Sequence, residues 1–167
     1  PATRNKQGTS LSRAADIVRA LEIDEAAIHC FMLPMSKDRT EAWKVYDALY
    51  NEAADRYRNG QRIVIVAEGD AGFYSSIQYI YDKFTKAGIA VQRTAGIPAF
   101  IAAGALAGLH IVKQEEEIVV IPGTPSADEL SEKINAGYVI VIMKLSQCVE
   151  AVYECIRRHP QAQFHYF

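Results

Sequence analysis

Apolar residues recur along the chain in two rhythms. Short, nearly unbroken apolar runs predict strands at residues 28–32 (I-H-C-F-M), 63–66 (I-V-I-V), 89–92, 118–121 (I-V-V-I), 138–143 and 162–167. Apolar residues at helical spacing predict helices between them. One follows Ser12 with Ala15 and Val18 on a face, and one covers 40–58 with Trp43, Tyr46, Ala53 and Tyr57 recurring. Further helices follow from Phe73, Ile77, Ile80, Tyr81 and Phe84, from the stretch after Pro98, from 126–135 and from 146–158. Thr40 is the expected cap and Asn59-Gly60 the expected stop of the second helix. Strands alternating with helices argue for an α/β fold with largely parallel sheets. The texture changes near residue 112, which predicts two lobes, 1–111 and 112–167.

The run 63–66 is β-branched throughout, so a strand buried on both faces is expected there. Gly69 and Gly72 then bracket Asp70 in a tight turn, and a helix follows. Open α/β sheets bind ligands where a buried parallel strand ends in such a turn. Turns of this kind are also common as plain structure, so on this pattern alone both readings stand. A second unusual stretch is P-A-F-I-A-A-G-A-L-A-G-L from Pro98. Its small residues allow a helix to lie close against a sheet or against a ligand.

Composition narrows the class. The 167 residues are 50% hydrophobic and 23% charged, as expected of a protein with a real core. A formal charge of −2 argues against a general nucleic-acid binder. No apolar run approaches the roughly 20 residues that cross a bilayer, and no secretory signal pattern stands at the start. Cys30, Cys148 and Cys155 are expected to be reduced, buried thiols of a cytoplasmic protein. No cysteine or histidine spacing supports zinc, so no metal site is expected.

Four motifs occur in order: G-D-A-G-F-Y-S-S-I-Q-Y (69–79), A-G-I-P-A-F-I-A-A (95–103), I-V-V-I-P-G-T (118–124) and V-I-M-K (141–144). Together they resemble the tetrapyrrole methylases, the S-adenosylmethionine-dependent methyltransferases of corrin and sirohaem synthesis. Within that superfamily the chain is most similar to the enzymes that methylate carbon 20 of precorrin-2. F-M-L-P-M (31–35), Trp43 and Tyr74-Ser75-Ser76 carry the finer likeness. Two departures stand out. Ala71 occupies the place of the family's usual proline, and the family's opening strand with its G-x-G-P-G-D loop is missing. The resemblance therefore implies a two-lobed tetrapyrrole methylase-like fold with both lobes truncated, an internal piece of a longer enzyme.

The resemblance also implies roles. S-adenosyl-L-methionine would lie against Gly69, Asp70, Ala71 and Phe73, near the hydroxyls of Ser75 and Ser76. Ala99, Phe100 and Met143 would meet it from the second and fourth motifs. Ordinary helix capping by Ser75 and Ser76, and a plain core role for Met143, remain the alternatives. Asp70 is expected to form the donor pocket rather than to act as a catalyst. The acceptor would be a polycarboxylate macrocycle, whose electron-rich carbon attacks the sulfonium methyl, with alignment as the enzyme's main contribution. Arg4 and Arg13 are the expected carboxylate partners, with Lys6, Lys37 and Arg39 as further basic candidates. A homodimer is expected, with neither nucleic acid nor membrane as partner. A different acceptor, including the protein or RNA targets of sister methylases, or a non-catalytic dimerisation piece, are the competing functions.

Overall fold

The computed structural model describes residues 3–4, 10–34 and 38–167, without the side chains of 3, 4, 10 and 11. The chain forms two compact units, Pro1–Gly96 and Ile97–Phe167. They part before the change of texture near residue 112.

In the first unit, β1 (Thr3–Arg4) pairs antiparallel with β2 (Ser10–Leu11). Helix α1 (Arg13–Arg19) follows, capped by the Ser12 side chain on the Ala15 N–H. A short 3₁₀ turn, Glu25–Ala27, leads on towards α2 (Thr40–Arg58). Arg39, not Thr40, holds the cap position of α2 and makes no side-chain cap bond; just before it, the Asp38 carboxylate accepts from the Thr40 N–H at 2.9 Å and the Thr40 hydroxyl at 2.7 Å. Asn59 ends the helix, and Gly60 takes the left-handed φ of +81° that suits the stop.

Helix α2 packs on α3 (Ile77–Lys86) through a core of Ala42, Tyr46, Ala53, Ala54, Ile80 and Phe84. The three alanines on α2 let the two backbones come close. Tyr46 and Trp43 meet Tyr79, with ring centroids 5.2 and 4.5 Å apart, and Tyr50 meets Phe84 at 5.1 Å. Lys83 pairs with Asp47 at 2.5 Å across the same helix pair.

Three expected strands of this unit, at 28–32, 63–66 and 89–92, form no ladder among the described residues. Nor is 63–66 buried on both faces. Ile63 and Ile65 pack against the α2–α3 core, whereas Val64 is 78% exposed and Val66 is exposed too. The strand-like alternation is present, but no neighbouring strand pairs the run. Cys30 is correspondingly exposed rather than buried.

The second unit opens on α4 (Ala99–Leu106), with Pro98 as its cap rather than inside its first turn. A Cβ on Gly104 would lie 2.7 Å from Ile111 Cγ1, so the slim helix is small here because Ile111 packs against it. β3 (Ile118–Ile121) then pairs parallel with β4 (Val139–Ile142), Ile118 opposite Val139 through Ile121 opposite Ile142. Between them runs α5 (Ala127–Asn135), opened by a reciprocal capping box of Ser126 and Glu129. The Ser126 N–H and hydroxyl, both donating to Glu129, hold its carboxyl below the usual range.

After a 3₁₀ turn, Leu145–Gln147, comes α6 (Val149–Arg158). It packs on α5 around Leu130 and Cys155, and Arg158 bonds Asp128 at 2.6 Å. Cys148 and Cys155 are buried free thiols, as expected, and burial pushes the Cys148 thiol up. The last expected strand is not formed: residues 162–167 pair with nothing among the described residues, and Tyr166 and Phe167 are exposed. The architecture is thus mixed α/β with a parallel strand pair, as the motifs imply. No helix among the described residues is long and apolar enough to cross a membrane.

Gly104 supplies a packing test. Gly104→Ala should destabilise the second unit by about 1–3 kcal/mol, because Ile111 must leave its place. Denaturant unfolding checks this, and Ile111→Val in the same chain should recover part of the loss.

Candidate functional site

The turn after residues 63–66 is built around one carboxylate. Gly69 adopts a φ of +78°, which glycine takes without strain. Asp70 Oδ1 then accepts the Gly72 N–H at 2.7 Å, closing the turn on itself. Its Oδ2 accepts the Gly96 N–H at 2.6 Å, across 26 residues of chain. One side chain thus closes the turn and ties it to the segment of the second motif.

That tie explains why position 96 is a glycine. A Cβ there would sit 2.3 Å from the Gly69 carbonyl oxygen and 3.0 Å from Asp70 Cα. The two backbones touch, and no side chain fits between them. The same two N–H bonds, Gly96 first, hold the Asp70 carboxyl below its ordinary pKa, with the nearby charge of Arg93 adding to the shift. Asp70 is therefore an anion that organises backbone.

The remaining expected residues of this unit surround the turn. Phe73 is half-buried, its ring 4.7 Å from that of Tyr74. Ser75 Oγ accepts the Ile77 N–H at 3.4 Å, so it does the helix-start capping. Ser76 is the helix cap by position but makes no such bond. Tyr74 carries a left-handed φ of +49°, an unusual strain for an aromatic residue placed at the turn. Arg13 reaches Glu68, beside the turn, at 3.6 Å, an exposed ion pair of little energetic weight. Arg39 is exposed ahead of α2. The Arg4 side chain, Lys6 and Lys37 lie outside the described residues.

Ala99, Phe100 and Met143 belong to the second unit. Ala99 is the exposed first residue of α4, and Phe100 is half-buried beside it. Met143 is also half-buried. Its N–H donates to the Ile121 carbonyl at 2.8 Å, which extends the β3–β4 ladder by one step. Lys144 then turns left-handed, with φ +64°. Left-handed backbone thus occurs within the first motif, at Tyr74, and at the end of the fourth, at Lys144.

Two clefts accompany these elements. One, of about 320 Å³, adjoins the turn at Ala71 and Gly72 and is also lined by Ser75, Gln78 and Arg93. The other, about 550 Å³, lies in the second unit between the starts of α5 and α6, and none of the expected site residues lines it. The motifs therefore favour the smaller cleft. Arg93 escaped sequence reading because a single arginine in a short irregular segment carries no periodic signal. The role of Gly96 was partly visible in its motif, but its partner Asp70 was not. No group of three or more metal-ligating side chains occurs among the described residues.

The chain is an α/β protein with a parallel strand pair in one unit and, in the other, an ionised carboxylate held between two glycine N–H groups at the head of a helix. The chain belongs to the Tetrapyrrole (Corrin/Porphyrin) Methylases, whose family model matches residues 8–165. Members of this family are methyltransferases that generally use S-adenosylmethionine. A precorrin-2 C(20)-methyltransferase of a Sinorhizobium species is 28% identical over 109 residues, which cover 65% of this chain and 44% of that protein. The cobalamin biosynthesis protein CobIJ of Mycobacterium bovis and that of Mycobacterium tuberculosis are each 28% identical over 111 residues, covering 64% of this chain and 22% of theirs. The chain thus spans less than half the length of these relatives.

Two outcomes are expected at the turn. Gly96→Ala should break the 2.6 Å bond to Asp70, and amide exchange at position 96 should rise roughly tenfold or more. The pH dependence has a definite sign. The folded pKa of Asp70 is lowered, so the unfolded chain binds the proton more readily. The carboxylate's stabilising effect is complete above the ordinary aspartate value of about 3.9 and is lost as pH falls through the lower folded value. The Gly96 amide resonance, followed by NMR, should hold its position down to about pH 4 and move only below it. A midpoint above that value would show that the two bonds do not form.

Proposed function

We propose that this chain is the donor-binding part of an S-adenosylmethionine-dependent C-methyltransferase. In this reading it methylates carbon 20 of precorrin-2 or cobalt-precorrin-2 during cobalamin biosynthesis. The observation that carries the proposal is the pair of hydrogen bonds that Gly72 and Gly96 donate to Asp70, the second of which joins two of the four motifs. The family match and the names of the relatives support the reaction class and the pathway.

The residues fit a cationic, amphipathic donor. Gly69, Ala71 and Gly72 offer a wall without bulk, and the fixed Asp70 anion places negative charge beside it. Phe73 adds an apolar face. Ser75 and Ser76 stand at the head of α3, where backbone N–H groups favour a carboxylate. Ala99, Phe100 and Met143 complete the set from the second unit, with the Met143 thioether as a soft partner for a purine. When bound, the donor supplies an electrophilic methyl on a positively charged sulfur. The protein's part is to hold donor and acceptor in line and to exclude water, which lowers the barrier by several kcal/mol (about 7–11 at the limit).

Arg4 and Arg13 are proposed to meet acceptor carboxylates, and the lobe division at 111/112 is part of the same reading. The acting protein is taken as a cytoplasmic homodimer, with a small tetrapyrrole and neither nucleic acid nor membrane as its partner.

Calorimetry with S-adenosylhomocysteine tests the proposal on the full-length protein. Micromolar affinity is expected, weakened about tenfold or more by Asp70→Ala. Absence of binding by the unsubstituted full-length protein would sink the reading. Product mass and position, read from incubation with precorrin-2, separate carbon 20 from another acceptor carbon.

A further inference from the structure

The cleft beside the turn holds a guanidinium that the donor reading does not use. Arg93 comes from the segment that leads into Gly96, and its Cζ lies 4.4 Å from the centre of the Tyr81 ring. It also lies across the face of the turn: a Cβ on Gly72 would meet Arg93 Nη1 at 3.0 Å. A side chain at position 72 would press on that guanidinium and make it shift by a few tenths of an ångström. A guanidinium held over that ring still carries N–H groups that can meet a planar two-oxygen anion.

Asp70 is not that anion. Both of its oxygens already accept backbone N–H groups, from Gly72 and Gly96. Its charge and that of Arg93 nevertheless stand close, so the cleft sits directly against the donor wall. Ser75 and Gln78 line the same space, each with a neutral donor to offer. The Ser75 oxygen accepts from Ile77, which leaves its own proton to donate. Asp82 also lines the cleft, from an exposed position on α3. It sets a limit: the space suits one carboxylate, not a cluster of them.

We propose that this cleft takes one carboxylate arm of the acceptor, with Arg93 as its bidentate partner and Ser75 and Gln78 as neutral donors. The inference rests on the methyltransferase reading and adds a residue that selects the acceptor. The arm anchors a polycarboxylate macrocycle next to the donor wall. Arg93 thereby discriminates the free acid from its ester or from a macrocycle short of that arm.

The test uses the full-length protein and two probes, uroporphyrin I, an octacarboxylate, and its octamethyl ester, followed by fluorescence titration. S-adenosylhomocysteine calorimetry runs in parallel. Arg93→Gln should weaken uroporphyrin about tenfold, Arg93→Lys should restore part of it, and Asp82→Asn should tighten it about twofold. The ester and S-adenosylhomocysteine should each change less than about twofold with Arg93→Gln. Uroporphyrin affinity indifferent to Arg93 overturns the proposal, as does an equal loss with the ester, which would mean packing alone. A larger loss of S-adenosylhomocysteine than of uroporphyrin also overturns it, because the arginine then serves the donor. Weaker uroporphyrin binding after Asp82→Asn does so too. Donor binding with Arg93-independent uroporphyrin sinks the cleft alone, whereas loss of donor binding by the unsubstituted protein sinks the reading beneath it.

Discussion

The carboxylate of Asp70 is the constraint on which the rest of the site depends. It closes its own turn through Gly72 and captures Gly96 from 26 residues away. Each bond is charge-assisted, so each is stronger than a neutral one. The two glycines are needed for different reasons. Gly72 leaves space for the Arg93 guanidinium, and Gly96 lets two backbones come into contact. A methyl group at position 96 would push apart what the carboxylate draws together, whereas one at position 72 would displace the arginine by a few tenths of an ångström.

The scaffold beneath the turn is helical rather than sheet-like. Helices α2 and α3 meet over small residues and a group of aromatic rings, and Ile63, Ile65 and Ile89 pack on that pair. The turn is therefore held from below by apolar contact and from the side by hydrogen bonds. The opposite face of 63–66 is open, with Val64 in solvent. In the second unit the balance is reversed. There β3 and β4 are paired in register, and the helices α5 and α6 pack on one another.

Strain accompanies the motifs. Tyr74 and Lys144 take left-handed backbone conformations that cost an ordinary residue about 1–2 kcal/mol. Each lies directly beyond a residue proposed to meet the donor, Phe73 or Met143. A generic stop would have used glycine, as Gly60, Gly88 and Gly137 do elsewhere in the chain. Glu22, outside the motifs, takes the same conformation, so the strain is not confined to them.

The sequence by itself determined the helices, the caps and the family. Periodicity placed α2 at its observed bounds, Ser12 as the cap of α1 and a stop at Asn59-Gly60, because these depend on residues within a few positions of each other. The cap of α2 lies at Arg39, one residue before Thr40, where the Asp38 carboxylate takes the Thr40 N–H. Strands were less legible. A strand is a joint property of two segments, and apolar runs at 28–32, 63–66 and 89–92 do not say which partner pairs them. Of the expected strands, β3 and β4 alone pair with each other among the described residues, with Met143 closing the ladder. The opening stretch, Gly69-Asp70-Ala71-Gly72, was legible as a turn and as a family motif. That its carboxylate bonds Gly96, and that Arg93 lies over Gly72, were decided by tertiary structure alone. Contacts across 26 residues of chain leave no periodic trace, because nothing local requires them.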